Sequence, residues 1–264
     1  MKWSSDAENA ILKVPFFVRK QVKKKVEDFV GQKGKTSIEL SDVTELKQKF
    51  LSKGGMEKDI KGYEVTTCFG GAGCPNTANS CTQLAKDIEA IMKKENILSF
   101  LKENVKGDLK FHHEFRVALS DCPNACSRPQ IVDIGIIGSV LPGIFDEACT
   151  LCSSCVEGCD ENAVTLDKEK ETPLIDYGQC LMCAKCIRAC PTGTIGEKEK
   201  GFRVMLGGRL GRHPRLAMEV PGVHTRDEVM CIVQKCLKFY KEKSKNGQRF
   251  SHILSSVDQI IDKK

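Results

Sequence analysis

The chain has 264 residues, a formal net charge of +6, 41% hydrophobic residues and fifteen cysteines. That length holds one sizeable core plus a small module or two, and a single tryptophan with three tyrosines offers no stacking platform for nucleic acid. The odd cysteine count, the polar N-terminus and an apolar stretch at 131–144 interrupted by Asp133 and glycines make the expectation a cytoplasmic chain that spans no membrane.

Residues 1–55 read as a helical module. The basic run Arg19, Lys20, Lys23, Lys24 and Lys25 is interleaved with Val22, Val26 and Phe29 at helical spacing, which predicts a solvated helix face. A further helix is predicted from Val43, Leu46, Phe50 and Leu51 behind the capping candidates Ser41 and Asp42, with Gly54-Gly55 ending the module. From Gly62 the pattern changes to short β-prone runs, 63–67 and 115–119, around a helix-like stretch, 82–101, with Leu84, Ile88, Ile91 and Met92 on one face. A third strand is predicted at 131–137 and a break at Leu141-Pro142-Gly143. A strand at 202–206, a glycine- and arginine-rich stretch at 207–215 and an amphipathic helix at 226–243 follow. The expected fold class is α+β in three parts: 1–55, a host domain of 56–147 with 200–264, and an insertion at 148–199.

Twelve cysteines stand in a fixed order: Cys68-x5-Cys74, Cys122-x3-Cys126, then Cys149-x2-Cys152-x2-Cys155-x3-Cys159 and Cys180-x2-Cys183-x2-Cys186-x3-Cys190. The last two runs have bacterial ferredoxin spacing, in which each run gives three thiolates to one four-iron cluster and its fourth to the other. Cys149, Cys152, Cys155 and Cys190 are therefore expected to hold one cluster, and Cys180, Cys183, Cys186 and Cys159 the second. Zinc would need only four ligands and normally pairs two C-x2-C units, whereas here eight cysteines repeat one iron-sulfur run. The second run ends in Cys190-Pro191 but the first in Cys159-Asp160, a change in the turn that leaves the ligands in place. The two looser pairs sit in loops rich in glycine, proline and asparagine, which bring bare backbone amides close to an anionic group. His112-His113 read as an exposed turn, and Cys81, Cys231 and Cys236 as small buried hydrophobes.

C-x5-C followed by C-x3-C with Cys122-Pro123-Asn124 inside, then Ser127-Arg128-Pro129 and Asp133-Ile134-Gly135-Ile136, resembles the siroheme-dependent sulfite and nitrite reductases. The inserted ferredoxin segment and the stretch 207–214 are similar to those of the dissimilatory and anaerobic types, and the resemblance covers ~63 to 240. It implies a third [4Fe-4S] cluster on Cys68, Cys74, Cys122 and Cys126, with Cys126 bridging to a siroheme. Arg116 and Cys126 would serve catalysis, and Arg128 and Arg209 the cofactor. It further implies a small anionic substrate, sulfite or nitrite, and six electrons delivered through the ferredoxin clusters by a low-potential donor protein; composition and the lack of a long apolar run add the expectation of no nucleic-acid or membrane partner. The sequence departs from the family where a second basic residue of the strand is expected and Ala118 stands, and where an earlier half-domain with substrate-gripping arginines is expected. A second subunit, a second copy, or a non-catalytic electron-transfer role would account for that. Trp3, Ala7-Glu8 and the stretch 15–19 resemble the C-terminal module of one of the proteins that make up light-independent protochlorophyllide reductase.

Overall fold

The computed structural model describes residues 1–12, 14, 16–52 and 60–261, with side chains omitted at 16, 17 and 50–52. Pro15, the Gly54-Gly55 stop, the boundary expected at 55 and the side chains of Phe50 and Leu51 lie outside the described residues. The chain divides into two units, 1–60 and 61–264.

In the first unit, α1 (Ser5–Leu12), α2 (Phe16–Gln32) and α3 (Leu40–Ser52) pack around Ala7, Ile11, Val26, Val30 and Ile38. A two-residue parallel bridge joins β1 (Lys2–Trp3) to β2 (Ser37–Ile38). Val22, Val26, Phe29 and Val30 give α2 its apolar side, while Lys20, Lys24 and Lys25 are exposed, as a solvated face requires. Arg19 turns back to donate to the carbonyls of Leu12 and Val14, satisfying the open end of α1. At the start of α3, Asp42 accepts from the Glu39 amide at 3.0 Å and from Lys35 Nζ at 2.7 Å. The capping candidates Ser41 and Asp42 thus stand inside the helix, and Asp42 reaches back to the amide of the residue before the helix.

The second unit is an α+β domain on a five-stranded sheet. Its strands are β3 (Tyr63–Thr67), β4 (Phe115–Ser120), β5 (Ile134–Ile144), β8 (Ile195–Leu206) and β9 (Met218–His224), in that spatial order. β3, β4 and β5 run parallel; β8 and β9 continue antiparallel. A small antiparallel hairpin, β6 (Val164–Asp167) with β7 (Thr172–Ile175), lies in the β5–β8 connection and pairs two short apolar runs. Two short helices flank it, α6 (Ser154–Glu157) and α7 (Lys185–Ala189).

Alternation along the strands sends Phe115, Val117 and Leu119 of β4, and Ile134 and Ile136 of β5, into the main core. Arg116, Ala118 and Ser120 occupy the other face. Helices α4 (Thr82–Lys94), α5 (Ile97–Asn104), α8 (Arg226–Lys243) and α9 (Phe250–Ile253) contribute the facing apolar residues. The stretch 82–101 is two helices because Asn96 enters the left-handed region at φ 46°. α8 begins in a capping box between Thr225 and Glu228. Its Tyr240 packs with Phe115 and Phe250 at ring separations of 5.2 and 6.4 Å. Truncating Phe115 to alanine would cost about 3–5 kcal/mol.

The break expected at Leu141-Pro142-Gly143 does not end β5. A register shift between Leu141 and Pro142 absorbs the proline, and the strand continues to Ile144 opposite Ile195. β5 therefore overshoots the last residue of β4, which pairs with Ile137. That overhang carries the cysteine-rich segment.

Candidate metal centres

Because β3 and β4 are parallel neighbours with Thr67 beside Leu119, the chain leaves both at the same end. Cys68 and Cys122 follow at once. The Cys68 amide donates to the Leu119 carbonyl at 3.0 Å, while Cys68 Sγ accepts from the Gly70 and Asp121 amides, each at 3.3 Å. Gly70 is required at this approach, since a Cβ there would stand 2.2 Å from Asp121 Oδ2. Burial pushes the Cys122 thiol up, and its neighbours Cys68, Cys126 and Cys74 push the same way. Those three thiols thus all lie within the electrostatic reach of Cys122. Cys122 is buried and Cys126 exposed.

The two ferredoxin-like runs share one backbone conformation. Leu151 and Ser153 in the first, Met182 and Ala184 in the second, all have φ between 54° and 63°. Left-handed residues at both equivalent positions wrap each loop so that its amides turn inward. The Leu151 amide donates to Cys149 Sγ and the Met182 amide to Cys180 Sγ, both at 3.4 Å. The fourth cysteines receive their own donors, Ala163 to Cys159 at 3.3 Å and Ile195 to Cys190 at 3.5 Å.

Seven of the eight thiols have electrostatic neighbours among the others in two groups, one around Cys155 and one around Cys186. Burial raises Cys155, with Cys190 and Cys149 adding to it. Burial pushes Cys186 up to about 12, with Cys180, Cys183 and Cys159 contributing. A cavity of about 150 Å³ is bounded by Cys159, Cys180, Cys183 and Cys186, with Pro123 and Asn124 of the Cys122 loop on its wall.

Among the described residues, no three His, Cys, Asp or Glu side chains close on one point as a single-ion shell does. A four-iron cube takes one thiolate per iron, so its ligands stand apart around a cavity. Soft sulfur donors, amides aimed at them and thiols that oppose one another's ionisation all fit such a group, because iron relieves the mutual repulsion.

The sites are in packing contact. Cys155 and Cys186 share a small core with Val164 and Ile195, and Cys122 shares another with Ala78, Val140 and Ala184. The Val140 amide on the β5 overhang donates to the Met182 carbonyl at 2.9 Å, and Val140 bridges Cys183. Gly138 on the same overhang permits the loop between Cys74 and Cys81 to come close, since a Cβ there would stand 2.1 Å from the Asn79 carbonyl oxygen.

The cationic candidates are scattered. Arg116 lies at the far end of β4, roughly 13 Å back from Ser120 along the strand, half-exposed beside Glu64 with an Nε to Oε2 distance of 3.4 Å. Arg209 donates to the carbonyls of His213 at 2.8 Å and Ser251 at 2.7 Å, and Arg215 donates to those of Gly207, Ser251 and Leu254. These two arginines fasten the 207–215 loop to α9. Arg128, held at φ 59° after the Cys126 loop, is exposed. Ala118 is fully buried. His113 Nδ1 accepts from the Lys110 amide in the turn expected of it. Cys81 and Cys236 are buried, but Cys231 is exposed because it falls outside the α8 stripe of Val229, Ile232, Val233 and Cys236.

The chain belongs to the nitrite and sulphite reductase 4Fe-4S domain family, whose model matches residues 61–258. Residues 3–47 match the model of the proto-chlorophyllide reductase 57 kD subunit. A coenzyme F420-dependent sulfite reductase of Methanocaldococcus jannaschii is 31% identical over 85% of this chain and 34% of that protein. One subunit of the anaerobic sulfite reductase of Salmonella typhimurium is 24% identical over 84% of this chain and 60% of its own length. One subunit of the light-independent protochlorophyllide reductase of Chlorobium limicola is 50% identical over 38 residues, 14% of this chain and 7% of that one. The chain thus spans about a third of the first relative and three-fifths of the second. No helix among the described residues is long and apolar enough to cross a membrane.

Proposed function

We propose that this chain is the siroheme- and iron-sulfur-binding part of a cytoplasmic sulfite reductase. In this reading Cys68, Cys74, Cys122 and Cys126 hold one [4Fe-4S] cluster, Cys149, Cys152, Cys155 and Cys190 a second, and Cys180, Cys183, Cys186 and Cys159 a third. The N-terminal module is 1–55, the host domain 56–147 with 200–264, and the ferredoxin insertion 148–199. One observation carries the reading: three parallel strands deliver Cys68, Cys122 and the overhang bearing the insertion to one end of the sheet. Siroheme beside such clusters supplies a site at which a bound oxyanion takes up six electrons.

Cys126, exposed at the end of its loop, is the sulfur available to reach that group. Arg128, exposed two residues further on, is its cationic partner in this reading, while Arg116, paired with Glu64, and Arg209, bonded to main-chain carbonyls, are engaged elsewhere. The substrate class is a small oxyanion, sulfite first and nitrite second, with electrons from a low-potential donor protein.

A second reading, a non-catalytic electron-transfer subunit, is favoured by the engagement of Arg116 with Glu64 and of Arg209 with main-chain carbonyls. A further subunit, or another copy of this chain, would then complete the substrate grip. Anaerobic reconstitution followed by iron and sulfide analysis, the spectrum of the extracted cofactor, and viologen-driven turnover separate the two. Sulfide production with a reduced-tetrapyrrole spectrum supports the first; clusters without turnover support the second; absence of both clusters and tetrapyrrole sinks the two together.

A further inference from the structure

The internal repeat of the insertion supplies its own control, because two loops of the same conformation differ in the charges around them. Where the second run continues Cys190-Pro191, the first continues Cys159-Asp160; where the first has Ser154 before Cys155, the second has Lys185 before Cys186. Both departures fall on the same ligand set, Cys159 with Cys180, Cys183 and Cys186, and both residues line its cavity. They meet: Lys185 Nζ donates to Asp160 Oδ2, with the lysine side chain 33% and the aspartate 68% exposed. Lys185 also lies within the electrostatic reach of Cys183, one of the thiols of that set.

Lys185 also breaks a local rule. It is the first residue of α7, where a cation faces the positive end of the helix, and Ala184 before it supplies no side-chain cap. A residue that is unfavourable for its own helix is explained by a contact elsewhere. Other cations converge on the same set. Arg188 Nη2 donates to the Cys183 carbonyl at 3.4 Å, and Arg203, held in two hydrogen bonds to Glu219, lies within the electrostatic reach of Cys180. Around the other set the side-chain partners are hydroxyls, Ser154 and Thr150 at Cys152 and Thr192 at Cys190.

A cluster's potential follows the charge and hydrogen bonding around it, since adding an electron makes it more negative and a nearby cation stabilises the reduced form. We infer that Lys185, held in place by Asp160, is a positioning residue that makes the Cys159–Cys180–Cys183–Cys186 site the more oxidising of the two insertion sites. This rests on the cluster assignment proposed above. Its consequence is directional. The favoured site is the one whose loop packs against Cys122 through Ala184 and Val140, so an electron arriving at the Cys149 site gains free energy by moving toward the host site.

The test is an EPR-monitored potential titration of the reconstituted full-length protein, with dithionite adding one electron per cluster through mediators. Signals are assigned with Cys152→Ser and Cys183→Ser variants. Lys185→Met should lower the midpoint of the Cys183 signal, and Asp160→Asn, which leaves the ammonium uncompensated, should raise it. The Cys152 signal should hold still in both, and both shifts should shrink in molar salt, because the pair is partly exposed. Equal shifts at both sites, shifts of the same sign in the two variants, or no shift would overturn the inference. Loss of iron in either variant would also overturn it, by showing a purely structural staple. A wild-type protein that binds iron but gives unchanged potentials in the variants leaves the functional reading standing; one that takes up no four-iron clusters removes both.

Discussion

The insertion and the loops that follow β3 and β4 use cysteine in opposite ways. In the insertion, each proposed set takes three of its four thiols from one seven-residue loop whose left-handed turns, at 151 and 153 or 182 and 184, would do the gathering locally. In the host, Cys68 and Cys122 are 54 positions apart in the sequence and meet only because β3 and β4 pair in register. Each region has an exposed cysteine, Cys126 in the host and Cys152 in the insertion, and the host adds a large exposed apolar side chain at its first ligand candidate, Phe69 beside Cys68, 88% exposed. A locally built site can form with little help from the rest of the domain. A site built by sheet register depends on the whole domain and leaves one side free for a larger group.

The largest expected effect comes from removing a ligand on either side of this divide. Cys122→Ala should cost about four irons per chain together with tetrapyrrole binding and viologen-driven turnover, while both insertion signals remain. Cys186→Ala should cost one insertion cluster and leave the extracted tetrapyrrole spectrum intact. Iron analysis and EPR read both, and a Cys122→Ala protein with a full iron count would break the comparison.

Next is Gly138→Ala, which touches no ligand. Its Cβ meets the carbonyl oxygens of Asn79, at 2.1 Å, and Asp121, at 2.9 Å. The loop carrying Cys74 must shift, at about 1–3 kcal/mol of stability. Thermal melting should fall, and iron should be lost from the host site before the insertion. Uniform loss from all sites would show that the overhang, not the host loop, is what the glycine protects.

This difference also explains what the sequence makes legible. Spacing within a run is local, so the expectation of two insertion sets can be read from it directly. The convergence of Cys68 with Cys122 depends on strand register, which no spacing encodes, and there resemblance to a family carries the expectation. β9 has Pro221-Gly222 inside it and gives no strand signal, and its position at the edge of the sheet is what tolerates the proline. The continuation of β5 past Pro142 is hidden for the same reason: a register shift is a property of two strands. Arg209 shows the limit for side chains. Among glycines and arginines it reads as a cofactor contact, yet its main hydrogen bond reaches a carbonyl 42 positions later in the chain.

Two arginines turn that limit into a smaller prediction. Arg209→Met removes donors to the Ser251 and His213 carbonyls and should lower the melting midpoint, by about 1–3 kcal/mol for bonds to a charged group. Arg128→Ala should leave melting unchanged, since its side chain is exposed, and should weaken retention of tetrapyrrole on gel filtration. An Arg209→Met protein of normal stability that releases its tetrapyrrole would instead assign Arg209 to the cofactor.

The smallest effect is expected in the region without cysteine. The first sixty residues contain none, and they contain Trp3, the single tryptophan of the chain, packed against the module core with its Nε1 donating to Glu27. Trp3 emission therefore follows this unit alone. The ammonium of Lys35, hydrogen-bonded to Asp42, and the Glu39 amide hold the Asp42 carboxyl below its usual value. A carboxyl lowered on folding contributes stability that is fully present above its unfolded value near ~3.9 and is lost as the pH falls through the folded one. Acid titration followed by Trp3 emission should thus show the module weakening below about pH 4, and Asp42→Asn should flatten that dependence while reducing stability at neutral pH. Stripping iron with a chelator should leave the Trp3 signal where it was, whereas absorbance from the cysteine sites should disappear. A Trp3 transition that tracked iron loss would mean that the cysteine-free unit depends on the metal centres for its fold.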